Sequence, residues 1–166
     1  IECLVGSEMC IRDRFNSKIV YHARSKKSVD YTYYDDLAEM AQICDVLICI
    51  TPGGASTHNL VNEEVLNALG PKGTLINVSR GSVVDEQALI AALAEGRLGW
   101  AGLDVFATEP KVPAALRALP NVVLLPHVGS ATEETRAAMG NLTVDNILQH
   151  LKDGTVISPV PECAHL

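Results

Sequence analysis

Aromatic side chains are scarce in this chain: one Trp, four Tyr and two Phe, 4% of 166 residues. Surfaces that stack nucleic-acid bases need more rings than that, and a core built here must be aliphatic. Positive charge is short as well. Thirteen Lys and Arg face twenty Asp and Glu, for a net charge of −7. That is the wrong sign for a phosphate-backbone surface, although a local basic pocket for one small anion stays open. Together these features exclude nucleic acid as a partner. No apolar run nears the ~18 residues of a membrane helix; the longest clean stretch is Val46 to Ile50. Also lacking is a basic segment followed by a long apolar one, the mark of secretory export. The five cysteines (Cys3, Cys10, Cys44, Cys49, Cys163) form no CxxC pair, so zinc and other metal sites are not expected. Cys44 and Cys49 border or sit in an apolar stretch and read as buried reduced thiols, which suits a cytoplasmic location.

What the chain does hold is aliphatic residues in short runs; 48% of it is hydrophobic. The runs at 18–23, 45–51, 73–79, 100–106 and 121–126 read as strands. Most are apolar on both faces, the pattern of a parallel sheet covered on both sides. Segments 34–44, 62–70 and 85–96 between them read as helices. In the last, Asp85 suits the N-cap, Glu86 the first turn and Gly96 the C-cap. A longer amphipathic helix is expected at 132–152, with Ser130 and Glu133 at capping-box spacing, and Leu142, Ile147, Leu148 and Leu151 on one face. Asp153 and Gly154 end it, and the Pro-bearing tail should be extended. Strand and helix alternating in this way predict an α/β fold with a doubly wound, mostly parallel sheet.

Residues 1–14, "IECLVGSEMCIRDR", fit neither a strand nor a helical face. The string "GSEMCIRDR" resembles translated adapter sequence, and we expect native sequence to begin near Arg14 or Phe15. The domain scheme is then a non-native segment at 1–14, a partial nucleotide-binding domain at 15–153, and a tail at 154–166 that returns to a second domain.

In open α/β sheets ligands sit beyond the carboxyl ends of the strands. Arg24, Ser25 and Lys26 follow the first strand, Pro52 to Gly54 the next, Arg80 the third, Glu109 the fourth, and His127 and Gly129 the last. An Arg fork can hold a carboxylate and polarise a neighbouring carbonyl. A His can protonate that carbonyl as hydride arrives, and a Glu on its other nitrogen fixes the tautomer. The trio suits reduction of a 2-keto acid. Each residue also has a plain structural reading: Arg80 as a solvated turn, Glu109 as a loop carboxylate, His127 as a surface residue at a strand end. A hydrolase built from Ser79, Asp104 and His127 competes, because "NVSRG" nearly matches a nucleophile elbow; Asn77 stands where its first Gly belongs. A non-catalytic nucleotide sensor competes as well.

"LINVSRGSVVDEQALIAALAEGRLGWAGLDVFATEP" followed by "LPNVVLLPHVGSAT" resembles the D-isomer-specific 2-hydroxyacid dehydrogenases, most of all the glyoxylate/hydroxypyruvate and hydroxyphenylpyruvate reductases. The resemblance runs from about residue 15 to 160. It implies a Rossmann-type sheet and reduction of a 2-keto acid to the D-2-hydroxy acid. Arg80 would bind the substrate carboxylate, and Glu109 would pair with His127, the acid/base. Asp104 would lie near the nicotinamide carboxamide, while Thr51, Pro52, Val78, Ser79, His127 and Gly129 would line the cofactor cleft. The family is usually dimeric, so a homodimer is expected of a full-length form.

An NAD site usually carries an acidic residue after its second strand to hold the ribose hydroxyls. Here "YHARSKK" stands instead. Arg24, Ser25 and Lys26 can meet a 2′-phosphate, which favours NADP over NAD. The family's GxGxxG turn, which brings the pyrophosphate to a helix N-terminus, is missing, and so is the N-terminal substrate-domain segment. The expectation is therefore a C-terminal piece with an incomplete sheet on its N-terminal side, weak or inactive alone.

Overall fold

The computed structural model describes residues 17–160. The expectations for residues 1–14 and for the end of the tail fall outside the described residues. The chain packs as two units, one up to Pro126 and one from His127.

In the first unit, β1 (Val20–His22) pairs in parallel with β2 (Thr32–Tyr34). A separate parallel sheet runs in the order β3 (Val46–Cys49), β4 (Thr74–Asn77), β5 (Trp100–Leu103), β6 (Val122–Leu124). Four helices intervene: α1 (Leu37–Gln42), α2 (Glu63–Leu69), α3 (Glu86–Ala94) and α4 (Ala114–Arg117). The predicted parallel α/β architecture is present as a partial sheet, while β2 and α4 were not expected. The register matters most for function. Cys49 pairs with Asn77, Asn77 with Leu103, and Leu103 with Leu124. Four strands therefore end side by side, and the segments that follow them leave from one edge.

One face of this sheet is buried along β3, β4 and β5, while β6 is only partly buried. Leu47 and Cys49, Leu75 and Asn77, Ala101 and Leu103 alternate inward, where they join Leu66, Leu89 and Leu93 in the core. Each such leucine contributes about 2 kcal/mol through apolar burial. The expectation of a sheet covered on both sides holds for one face only: on the other, Val46 (50%), Trp100 (56%) and Val123 (62%) are largely exposed. Asp36, Asn62 and Asp85 cap their helices by accepting the backbone N–H of Glu39, Val65 and Ala88. Asp85 stands as predicted. The C-cap of α3 is Glu95, with Gly96 one residue beyond at φ 70°, where glycine carries no Cβ penalty.

The second unit holds α5 (Glu133–Asp153). Its N-cap is Thr132, not Ser130. Thr132 has the extended backbone a cap needs, and its hydroxyl accepts from Thr135 N at 3.1 Å. Gly154 ends the helix in the left-handed region, φ 81°. Asn146 Oδ1 then accepts from the backbone of both Ile157 and Ser158, each at 3.0 Å, and folds the tail back on the helix. The expected apolar face of α5 is not buried; Leu142, Ile147, Leu148 and Leu151 are 44–77% exposed. Among the described residues, no helix is long and apolar enough to cross a membrane.

Candidate active site

Thr51 and Pro52 follow β3. The Thr51 hydroxyl is buried and makes no hydrogen bond, a polar atom awaiting a partner at the strand edge. The Pro52 carbonyl accepts from Thr57 Oγ1 at 2.8 Å, which fixes the short 3-10 turn at Ala55–Thr57. Gly53 lies against the Arg80 side chain: a Cβ there would stand 2.8 Å from Arg80 Cγ.

After β4 come Val78, Ser79 and Arg80. Val78 is 43% exposed, whereas Ser79 is buried. The Ser79 hydroxyl donates to Asn77 Oδ1 at 2.8 Å. With its proton held there, Ser79 makes a poor nucleophile. The chain then enters a 3-10 turn at Gly81–Val83 rather than the helix of a hydrolase elbow. Arg80 Nη1 donates to Ser79 O at 2.6 Å, so the guanidinium lies along its own turn. The next residue, Gly81, is buried directly on the backbone of Phe106 and Ala107.

After β5, Asp104 is 3% exposed, and its N–H donates to Asn77 O at 3.0 Å. Glu109 closes the adjoining loop: its Oε1 accepts from Phe106 N at 3.0 Å, and a cis peptide joins it to Pro110. Glu86 Oε2 accepts from Ala107 N at 3.2 Å. The Arg80 turn and the Glu109 loop are thus packed backbone to backbone, an arrangement spacing alone did not reveal. β6 delivers the chain to Pro126. His127, the next residue, opens the second unit with φ 57°. That left-handed conformation is uncommon in residues with a Cβ and concentrates at functional sites. Gly129 lies two residues on in the same exposed segment.

Arg24, Ser25 and Lys26 are exposed in the loop after β1. Two tyrosines pin its ends. Tyr21 accepts from Lys27 N at 2.7 Å and donates to Lys27 O at 3.1 Å. The Tyr33 hydroxyl lies 3.1 Å from Ala23 O and 2.9 Å from Asp35 Oδ1, and the carboxylate bond holds that phenol above its usual pKa. Neither tyrosine was singled out from sequence; their i, i+12 spacing gives no local signal. The basic loop and the unpartnered Thr51 hydroxyl both fit a dinucleotide, the first at a phosphate and the second at the sheet edge.

Aligned parallel strand ends whose loops carry these groups define a dinucleotide-binding domain. The sequence profile of the D-isomer specific 2-hydroxyacid dehydrogenase NAD binding domain matches residues 6–129, and the chain belongs to that family. It is 50% identical over 149 residues to hydroxyphenylpyruvate reductase of Plectranthus scutellarioides, covering 89% of this chain and 48% of that one. It is 49% identical over 158 residues to glyoxylate/hydroxypyruvate reductase A of Arabidopsis thaliana, covering 94% and 50%. Among solved structures, the NADPH-dependent glyoxylate/hydroxypyruvate reductase of Sinorhizobium meliloti, in complex with NADP and malonate, superposes with a TM-score of 0.86 at 51% identity. That match covers 92% of this chain and 49% of that one. The chain spans about half the length of these relatives.

Proposed function

We propose that this chain is the nucleotide-binding and catalytic half of a reductase that converts a 2-keto acid of the glyoxylate or hydroxypyruvate kind to the D-2-hydroxy acid with NADPH. The observation that carries the reading is the locked pair of segments at one strand edge, the Arg80 turn against the Glu109 loop. Arg80 binds the substrate carboxylate and polarises the adjacent carbonyl. The bound dihydronicotinamide supplies a hydride to the carbonyl carbon. His127 donates a proton to the carbonyl oxygen, and Glu109 holds the imidazole in the matching tautomer. Asp104, Thr51, Pro52, Val78, Ser79 and Gly129 border the nicotinamide side. Arg24, Ser25 and Lys26 take the 2′-phosphate. NADPH dependence in the Sinorhizobium meliloti relative supports that choice over NADH. The relatives it matches are about twice as long, and the proposed activity is that of a protein of their length, acting as a homodimer.

The test is NADPH oxidation by the gene product carried to the length of its relatives, against a panel of 2-keto acids. Turnover is expected with glyoxylate or hydroxypyruvate, and His127→Gln should lower kcat by about 10²–10⁴. Silence with every 2-keto acid, or full activity in His127→Gln, would refute the assignment.

A further inference from the structure

The four aligned strand ends carry Cys49, Asn77, Leu103 and Leu124. Three suit an apolar layer. Asn77 does not, yet it is only 1% exposed. Burying a primary amide is costly unless its donor and acceptor are both used. Here both are, and each bond goes to the same short turn. Asn77 Oδ1 accepts from Ser79 N at 3.0 Å and Ser79 Oγ at 2.8 Å, and Nδ2 donates to Arg80 O at 3.1 Å. The backbone N–H of Ser79 fixes which side-chain atom is the oxygen, so the amide can face only one way.

We propose that Asn77 is the positioning residue for Arg80, which deepens the reductase reading above. The amide holds the turn from within, on both sides of the Ser79–Arg80 peptide. On the far side Gly81 is pressed against Phe106 and Ala107. Arg80 sits between these anchors, and its Nη1 bonds to Ser79 O, an atom of the clamped turn. The direction of the guanidinium is therefore set by backbone that Asn77 fixes. A fork-shaped cation that must meet a carboxylate in two places gains most from such pre-orientation.

The chain allows a direct test without turnover. The readouts are 15N order parameters of the Arg80 Nε–Hε group and binding of oxamate, a 2-keto acid isostere, in the presence of NADPH. Asn77→Ala removes every bond to the turn; Asn77→Asp keeps an acceptor for Ser79 but loses the donor to Arg80 O. Asn121→Ala is the control, because Asn121 is a part-buried amide that bonds elsewhere, to Gly99 O at 2.9 Å. In both Asn77 variants Arg80 should become as mobile as exposed Arg117, and oxamate affinity should fall by about tenfold or more. Asn121→Ala should lower the melting temperature and leave Arg80 ordered. Arg80 equally ordered in the folded Asn77 variants, or equally loosened by Asn121→Ala, would overturn the proposal. Should the protein carried to the length of its relatives bind no oxamate with NADPH while Arg80 still loosens in the Asn77 variants, the positioning role stands and the reductase reading falls. If neither variant folds, side-chain amide exchange in the unmodified chain decides. Asn77 Nδ2 should exchange about a hundredfold more slowly than exposed Asn59; equal rates would overturn the clamp.

Discussion

A Cβ added to Gly81 would lie 1.9 Å from the carbonyl carbon of Phe106 and 2.4 Å from Ala107 N. Only a residue without a side chain lets the turn after β4 rest on the backbone after β5. Both partners are main chain, so neither can swing aside as a side-chain tip would. Gly81→Ala should therefore separate the Arg80 turn from the Glu109 loop and cost about 3 kcal/mol. Thermal unfolding of the variant against wild type measures this. A loss below about 0.5 kcal/mol, the range of an ordinary surface change, would mean the two segments are not locked.

The loop after β1 offers a prediction that needs no turnover either. Tyrosines hold it at Ala23 and Lys27 and leave Arg24, Ser25 and Lys26 displayed between. If this loop takes a 2′-phosphate, the chain should bind 2′-phospho-AMP more tightly than AMP. Arg24→Ala should weaken the first by about 10–100-fold, the worth of a hydrogen bond to a charged group, and leave the second unchanged. Calorimetric titration of both nucleotides checks it. Equal affinity for the two in wild type would show that this loop takes no 2′-phosphate and would remove its support for NADPH.

The strands around the site were legible in sequence because short aliphatic runs bounded by turn residues have few other uses in a parallel sheet. The Asp85 cap was legible because its bond is local, three residues long. β2 escaped because its run Thr-Tyr-Tyr is not aliphatic, and α4 because four residues carry no helical period. The α5 cap shows the limit of local rules: Ser130 and Glu133 had the spacing, but backbone two residues later adopted the cap geometry. Asn77 had a signal that passed unread, a polar residue at an inward position of the run "TLIN". The seat of Gly81 on Phe106 had none, because it depends on the register between β4 and β5. The left-handed backbone of His127 was likewise invisible.

Cys49 provides a test of the buried sheet face itself. Burial pushes its thiol from the ordinary 9.0 up to about 12. At pH 8 the native chain should hold about a thousandfold less thiolate at Cys49 than the unfolded chain, so alkylation there should be slow and limited by opening. The same shift has a consequence for stability. Below pH 9 both states keep the proton, and the contribution is fully present. As pH rises from 9 toward 12 the unfolded chain loses its proton while the native chain keeps it, so stability falls, by at most about 4 kcal/mol in total. Cys49→Ala has no thiol to titrate. The difference in unfolding free energy between wild type and Cys49→Ala should stay flat up to about pH 9 and then shift against wild type as pH climbs. Urea titrations at pH 8, 9, 10 and 11 measure that difference with all other titrations cancelled. A difference that stays flat to pH 11, together with alkylation of native Cys49 as fast as in urea, would show that the strand β3 is not sealed against solvent on the face where the core is placed.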